Sequence, residues 1–317
     1  GETLTIQVDV RNWLAACTGL TFKLRENSTY TTMVDSLVTL SALDSLETAT
    51  LPAFTVSISP TAPVQTTVMY TLVITTASPA YTDKARFNLT ILPTFTIHDA
   101  NNIQCTVTSV GKLGYALIAG GTGSDGIGFH YKNSLGYLFE GGLMIGTGST
   151  AVSDACRTTS STQDDDFATK PGGIPVITEP EGSYAEHGVA AFKDSLAENP
   201  LGLDVRQDSY TLTAAGLDDF IVLRYRIRND SGTARNGLRV GWFCDWDIDG
   251  GTYSTNVTAY DSTRGMMYAY DTSAAGPDDY LGLLTLTAPG TTAARGITND
   301  QTLAPDWGVY DGYTETE

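Results

Sequence analysis

Hydrophobic and polar residues alternate along most of this chain, and a period of two is typical of strands that bury one face. The first such run spans residues 3–10, where Leu4, Ile6, Val8 and Val10 are separated by polar neighbours. Similar runs follow at residues 20–24, 36–40, 54–58, 68–75 and 85–92. No sustained helical period accompanies them. The pattern therefore predicts a succession of short antiparallel strands.

The strands of the first ninety or so residues are close together in sequence. Turn-like stretches at residues 26–28, 59–63 and 78–83 separate them. Several short strands at this spacing predict an immunoglobulin-like sandwich over residues 1–93. Residues 93–99 are predicted to be a junction, after which the spacing of the strand-like runs changes.

Residues 94–317 are predicted to form a larger antiparallel β-sandwich. Strand-like runs occupy residues 203–212, 220–228, 238–243, 266–270 and 280–286. Two stretches differ: residues 158–183 are polar and rich in Pro and Gly, which predicts a long surface loop, and residues 185–196 have some helical character. In residues 220–228, Arg224, Arg226 and Arg228 share one face, and we expect them to pair with acidic loops. The fold class is all-β.

The charge of the chain narrows the choice of partners. Its 317 residues carry 36 Asp and Glu against 18 Lys and Arg, a net charge of −18. Such a surface repels phosphate backbones and anionic lipids, which excludes nucleic acid and disfavours membrane surfaces. No apolar run is long enough to span a bilayer. The abundance of Thr, Ser and Gly and the scarcity of Lys favour an extracellular or cell-surface location.

The four cysteines leave two interpretations open. Cys17, Cys105, Cys156 and Cys244 are scattered and show no CxxC spacing, which disfavours a zinc site. Two disulfide bridges, in any of the possible pairings, and four buried free thiols both agree with this spacing.

The most distinctive stretch for a site is GWFCDWDIDGG at residues 241–251. Alternation in an extended chain sends Asp245, Asp247 and Asp249 to one face, where a cation would relieve their repulsion. An EF-hand is excluded because Asn256 stands where a bidentate Glu is needed and no helix flanks the loop. A calcium loop in a β-hairpin remains, with Asp261 as a further ligand. The alternative is an acidic loop that is solvated or paired with arginines.

Other candidate sites have simpler explanations. Gly121, Gly123 and Gly126 match a dinucleotide fingerprint, but a strand follows them, so a turn is favoured over a nucleotide site. Asp164, Asp165 and Asp166 are predicted to be hydrated loop charge. Glu140 could form the carboxylate pair of a glycosidase with a distant Asp, but the sequence does not establish the separation that such a pair needs.

Histidines and aromatic residues complete the candidates. His98, His130 and His187 lie in no zinc-binding spacing, and no Gly-x-Ser-x-Gly motif is present, so structural roles are favoured over a Ser-His-Asp triad. The tryptophans and tyrosines are expected mainly in the core, although an exposed row would form a sugar-binding surface. Trp246, between two aspartates, points either inward as an anchor or outward as a contact.

Two segments of the first ninety residues carry a family resemblance. GETLTIQVDVRNW at residues 1–13 and TVSISPTAPVQTTVMYTLVIT at residues 55–75 resemble the Ig-like modules of the CARDB and NEW3 group, which are appended to secreted bacterial hydrolases and proteases. The shared features are the GE-T-hydrophobic start, the V-R-N turn and the S-P-x-A-P segment. Because such modules often begin with an acidic loop, we expect the chain to start inside that loop.

A second resemblance covers about residues 110–310. The segments IGFHYKNSLGYLFEGGLMIGTGSTAVSDACR, QDDDF, NPLGLDVRQDSY, DDFIVLRYRIRN, GWFCDWDIDGG and AYDSTRGMMYAYD occur in that order. They resemble a region of large secreted proteins of Bacteroidetes-type bacteria, where it often follows a subtilisin-like protease domain and precedes a type IX secretion sorting domain. The resemblance implies location and architecture rather than a reaction, and it implies that Glu317 is a cut end.

Together these features predict a non-catalytic module of a larger extracellular bacterial protein, in which Ca²⁺ is the one cofactor considered. Its expected partners are other domains or copies of the same protein. Two alternatives are a subunit of a filament or surface layer linked by strand exchange, and a carbohydrate-binding accessory module.

Overall fold

The computed structural model describes residues 3–59, 62, 66–91, 94–114, 116–117, 124–148, 151–156, 166–170, 177–178, 182–248, 253–273, 279–287 and 293–296. Every strand pairing among them is antiparallel, and apart from one 3₁₀ turn at Tyr253–Thr255 the described residues contain no helix. The protein is therefore all-β. The chain forms two compact units, Gly1–Pro93 and Thr94–Glu317. None of the described segments forms a helix long and apolar enough to cross a membrane.

The described residues of the first unit form nine strands in small sheets. They are β1 (Thr3–Ile6), β2 (Asp9–Arg11), β3 (Cys17–Glu26), β4 (Thr31–Asp35), β5 (Leu37–Leu43), β6 (Thr48–Thr50), β7 (Phe54–Ile58), β8 (Thr67–Thr76) and β9 (Tyr81–Thr90). The strand orders are β1-β7-β4, β5-β3-β8-β9 and β2-β6.

The core of the first unit follows from the alternation of its strands. Leu20, Phe22 and Leu24 on β3 lie on one face, and Phe54 and Val56 on β7 come from the other sheet. These side chains are almost completely buried, and together they form one hydrophobic cluster. Two sheets packed through such a cluster form a β-sandwich.

The second unit contains the remaining strands. They are β10 (Phe95–His98), β11 (Ile103–Thr108), β12 (Lys112–Leu113), β13 (Ala116–Leu117), β14 (Ser124–Asp125), β15 (Phe129–Tyr131), β16 (Leu138–Gly148), β17 (Ala151–Asp154), β18 (Ala168–Thr169), β19 (Ile177–Thr178), β20 (Glu186–Lys193), β21 (Leu203–Thr211), β22 (Ile221–Asn229), β23 (Arg239–Trp246), β24 (Asn256–Asp261), β25 (Met266–Asp271) and β26 (Tyr280–Leu284).

Two large sheets dominate this unit. One has the order β10-β11-β12-β16-β17, with β15 beside β11 and β23 beside β16, and the other has the order β18-β20-β21-β22, with β19 beside β20. Leu143 and Ile145 of the first sheet pack against Ala190, Phe192 and Val205 of the second in one buried cluster. β21 is a central strand, so its inner face is in the core and its outer face is available for a site.

Two sequence predictions need correction here. Residues 185–196, which show some helical character, contain strand β20 (Glu186–Lys193) and no helix. Its Glu186, Gly188, Ala190 and Phe192 alternate toward the interior. The stretch predicted as one long polar loop, residues 158–183, contains the short strands β18 and β19, and its Phe167 is buried in the core. Both strands pair with β20, so residues 168–169 and 177–178 belong to this sheet.

Candidate functional site

The outer face of β21 and β22 gathers much of the positive charge of this acidic chain. The register of the two strands sets Asp208 opposite Arg224, Arg206 opposite Arg226, and Asp204 opposite Arg228. Because side chains alternate along a strand, these residues share the face turned away from the core. We call this set, with His187 of β20, the arginine face.

Asp208 is the centre of the arginine face, and its side chain is 0% exposed. One of its oxygens accepts hydrogen bonds from Arg206 Nη2 at 2.9 Å and pairs with His187 Nε2 at 3.0 Å. The other accepts from Arg224 Nη2 at 3.2 Å and lies 3.3 Å from Arg226 Nη1. Three guanidinium groups and an imidazole therefore surround one carboxylate.

Asp208 is ionised at neutral pH. Burial alone raises the pKa of this carboxyl, but the hydrogen bonds from Arg206 and His187, the charge of Arg206 and the hydrogen bond from Arg224 outweigh burial and lower the pKa to about 2. A single negative charge thus lies beneath three positive ones. The guanidinium groups themselves remain about half exposed, Arg226 at 54%.

Aromatic rings border one end of the arginine face. Tyr210 stacks on His187 with ring centroids 4.5 Å apart and lies 4.4 Å from the ring of Tyr184. The guanidinium of Arg224 sits 5.4 Å from the Tyr210 ring and donates to its hydroxyl. These contacts restrict the orientation of Arg224 from two sides.

The other end of the arginine face is a chain of ion pairs. Asp204 accepts from Lys170 Nζ at 2.6 Å and from Arg228 Nη2 at 3.0 Å. Arg228 also pairs with Asp230 at 2.7 Å, and Lys193 lies 3.9 Å from Asp230. The sequence predicts that the arginines of residues 220–228 pair with acidic loops. Two of their partners, Asp204 and Asp208, instead belong to the neighbouring strand β21.

A second polar cluster lies on the inner face of the same sheet. His98 of β10 bonds through Nδ1 to Glu186 Oε2 at 3.0 Å and through Nε2 to Ser209 Oγ at 2.7 Å. Thr211 Oγ1 and the backbone N of Asp99 also donate to Glu186. The order Ser–His–carboxylate resembles that of a serine hydrolase triad.

Burial makes catalysis by this cluster unfavourable. Ser209 is 1% exposed and His98 0%, and both face the interior between the two sheets. A triad acts only when the serine oxygen can reach a substrate carbonyl, which these side chains cannot do without opening the sandwich. Burial raises the pKa of Glu186, but hydrogen bonds from His98, Thr211 and Asp99 lower it to about 2. The cluster therefore fits a structural network of satisfied polar groups.

The predicted calcium ligands are not all placed together. Asp245 belongs to β23 opposite Glu140, and the backbone N of Asp247 donates to Tyr137 O at 2.9 Å. Asp249 lies outside the described residues. The described residues contain no cluster of three or more His, Cys, Asp or Glu suited to a metal ion. Calcium binding at this loop stays a prediction.

Asp261 has other partners in the structure, and its suggested part in that loop stays a prediction. Its carboxylate accepts from the backbone N of Thr263 and of Arg264 and pairs with the Arg264 guanidinium, and these contacts lower its pKa. Asn256, at the start of β24, bonds to Trp246 O, whereas Asp261 ends that strand about 16 Å further along. The strand thus carries Asp261 away from Asp245.

The remaining candidates also acquire positions. Glu140 is 2% exposed on β16, buried within the sheet. Asp166, predicted to be hydrated, is buried and accepts from the backbone N of Asp154, while Asp164 and Asp165 lie outside the described residues. Of the three glycines that match the dinucleotide fingerprint, only Gly126 lies in the described residues.

The histidines and Trp246 have structural contacts. His130 bonds through both ring nitrogens to backbone carbonyls, those of Ser134 and Ile127. Trp246 points inward and meets Phe129 edge-on with ring centroids 5.6 Å apart. This resolves the two orientations that the sequence leaves open.

A partly exposed aromatic group is present in the described residues of β25 and β26. The ring centroids of Tyr268, Tyr270 and Tyr280 lie 5.4 to 6.1 Å from one another. Tyr280 is 67% exposed. The planes of Tyr270 and Tyr280 differ by 25°, so the rings stack on each other across the strands.

All four cysteines are free thiols. Burial raises the pKa of Cys105 and of Cys244 to about 12, which keeps these thiols protonated and unreactive. Of the two interpretations left open by the sequence, the structure contains the one without disulfide bridges.

Comparisons with known proteins leave the chain without an assigned family. No protein-family description matches it, and no curated protein matches it either. Among solved structures, the crystal structure of the Pseudomonas aeruginosa CupB2 chaperone is similar at 8% sequence identity, over 70% of this chain and 91% of that one. The TM-score is 0.19, which carries no argument about fold or function.

Proposed function

We propose that this chain is a non-catalytic structural or interaction module of a larger secreted or cell-surface bacterial protein. The observation that carries the proposal is the state of His98, Glu186 and Ser209. They have the arrangement needed for catalysis, yet they are buried and bonded to one another inside the sandwich. The acidic, Lys-poor composition and the two sequence resemblances support the location. In this proposal Ca²⁺ braces the Asp245–Asp247–Asp249 loop.

The purified full chain tests this proposal in assays for esterase, peptidase and glycosidase activity. We expect no turnover above that of a buffer blank. The matched variants are Ser209→Ala and, at a half-buried serine of the same unit outside the cluster, Ser231→Ala. Turnover that Ser209→Ala abolishes and Ser231→Ala retains, with both variants folded by circular dichroism, would overturn the proposal.

A second candidate function is carbohydrate binding, and the Tyr268–Tyr270–Tyr280 group favours it. Aromatic side chains exposed on a sheet are suited to contact with the apolar face of a sugar. A glycan array is the direct test. A hit that is lost in Tyr280→Ala but kept in Tyr81→Ala, an exposed tyrosine of the first unit, would establish it, and an array without hits would remove it.

A third candidate is assembly through strand exchange. Strand β9 is ten residues long and is paired in the described structure only with β8, so its other edge can accept a strand. Lys84 and Arg86 on β9 are charges of the kind that protect such edges, which weakens this candidate. Light scattering coupled to size exclusion decides it, since a monomer at all concentrations would exclude assembly.

A further inference from the structure

The arginine face holds more positive charge than its own carboxylates require. Among the residues that the structure describes, six cationic side chains meet three carboxylates there. The cations are Lys170, Lys193, Arg206, Arg224, Arg226 and Arg228, and the anions are Asp204, Asp208 and Asp230. The chain as a whole carries −18, so the rest of the surface is strongly negative. The arginine face is therefore a positively charged patch on a negatively charged protein.

The excess is greatest at Asp208. One buried carboxylate is compensated by one cation, yet three guanidinium groups converge on it. Arg206 and Arg226 are directly opposite each other across the strands, a like-charge arrangement that destabilises a sheet. A purely structural role for Asp208 does not call for the third arginine.

The arginines also have hydrogen-bonding capacity to spare. Each guanidinium has five N–H donors in one plane. Among the described residues, the one ionic partner of Arg226 is Asp208, through Nη1. The remaining donors of these half-exposed groups face solvent, held in position by the carboxylate below and, for Arg224, by the Tyr210 ring. Planar donor pairs of this kind bind carboxylates through two parallel hydrogen bonds.

The spacing of the arginines points to the shape of the ligand. Arg224, Arg226 and Arg228 are alternate residues of one strand, so they repeat about every 6.7 Å. An extended peptide with Asp or Glu at alternate positions has the same repeat and sends its carboxylates to one face. A long polyanion would extend beyond the face onto the negative surface around it and be repelled.

We propose that the arginine face binds a short, extended acidic peptide segment of a partner protein, with carboxylates at alternate positions. Arg206, Arg224 and Arg226 receive its carboxylates through bidentate hydrogen bonds, and Arg228 extends the contact. The inference rests on the proposed role as an interaction module, for which it supplies the chemistry of the partner.

Fluorescence anisotropy with the full chain tests this inference. The probe is a labelled short peptide that alternates aspartate with threonine, and its control has the same composition with the aspartates in one block. We expect the alternating peptide to bind more tightly, and binding to weaken with salt. Arg226→Gln should weaken it about tenfold, the loss expected for one charge-assisted hydrogen-bonding group. Arg239→Gln, which removes the same charge from an exposed position on β23, should leave it within about twofold.

Several outcomes would overturn the inference. They are no binding of either peptide, equal binding of the two peptides, equal effects of Arg226→Gln and Arg239→Gln, or binding of polygalacturonate in place of the peptides. Should Arg226→Gln not fold, Arg226→Lys keeps the charge and removes the planar donor pair, and it should still weaken binding. The peptide titration and the activity assays test different proposals. If no peptide binds and no turnover is seen, the acidic-peptide inference fails while the proposal of a non-catalytic module stands.

Discussion

Glu186 and Asp208 lie within the same sheet, almost out of solvent, but on opposite faces. Glu186 is bonded to neutral donors and His98 in the interior, and Asp208 lies beneath three arginines on the outside. Both have a pKa of about 2, so both are ionised in the folded protein at neutral pH. The two environments differ in their hydrogen bonding. The polar groups around Glu186 are bonded to one another in the interior, whereas the arginines around Asp208 have N–H donors that Asp208 does not use.

The lowered pKa of Glu186 predicts a specific acid sensitivity. Its ordinary value is 4.5, so the ionised form stabilises the fold above about pH 4.5, and this contribution is lost as the pH falls toward 2. The full contribution is about 3 kcal/mol. Urea unfolding of the second unit across this range should show the loss, and Glu186→Gln should flatten it. An unchanged pH dependence in Glu186→Gln would contradict this assignment.

The hydroxyl of Tyr225 is a polar group whose removal should not lower the stability of the fold. Its hydroxyl is buried and has no hydrogen-bond partner in the described part of the chain, and its ring lies 5.5 Å from that of Trp242. Tyr225→Phe keeps the ring and removes an unpaired buried hydroxyl, so we expect unchanged or higher stability, by up to about 1 kcal/mol.

Thermal unfolding with Tyr210→Phe as the control distinguishes this effect from a general response to losing a hydroxyl. Tyr210 accepts a hydrogen bond from Arg224, so its substitution should lower the midpoint. A larger loss in Tyr225→Phe than in Tyr210→Phe would show that the Tyr225 hydroxyl is in fact satisfied.

At the scale of strands, the alternation of polar and apolar residues predicted a strand correctly where the alternating side chains were large. The sequence predicts residues 220–228 as a strand with its arginines on one face, and β22 confirms both points. Strand β20 was missed because its interior positions include Gly188 and Ala190, small residues with little hydrophobic signal, and because alanine favours helices in isolation. Pairing with β21 overrides that preference.

The site clusters were beyond the reach of sequence patterns. His98 is 88 residues from Glu186 and 111 from Ser209, and only the packing of β10 against the second sheet joins them. The arginine ladder was visible in the sequence, but its pairing with Asp204 and Asp208 depends on the register of β21 and β22. That register is set by which face of each strand meets the core, and local pattern does not specify the partner strand.

Two glycines of strand β16 test how closely this strand packs against the neighbouring residues Ala155 and Cys156. A Cβ added at Gly142 would lie 2.9 Å from Cys156 Sγ and 3.2 Å from Ala155 O, so Gly142→Ala should destabilise the second unit by about 1–3 kcal/mol. Gly148→Ala on the same strand meets no atom within 4 Å and should cost less than about 0.5 kcal/mol. Chemical denaturation of the two variants measures the difference, and equal effects would contradict the described packing.

For the whole molecule, a bound calcium ion would contribute to stability in a way that can be measured. If the Asp245–Asp247–Asp249 loop binds Ca²⁺, an excess of a hundred times the dissociation constant should stabilise the chain by about 2.7 kcal/mol. Differential scanning fluorimetry with CaCl₂ against EGTA should then show a higher midpoint that Asp247→Asn removes. Asp261→Asn should keep the shift, because Asp261 is bound to Arg264. The same midpoint with and without calcium would remove the metal from the account.

We propose that the Ser209–His98–Glu186 cluster has a structural role, because the sandwich encloses it. Labelling of the native protein with a fluorophosphonate, followed by peptide mass spectrometry, tests this most directly, since the reagent modifies only an accessible, activated serine. We expect Ser209, 1% exposed and bonded to His98, to remain unmodified in the native protein. Rapid stoichiometric modification of Ser209, lost on substitution of His98, would contradict it and identify a hydrolase.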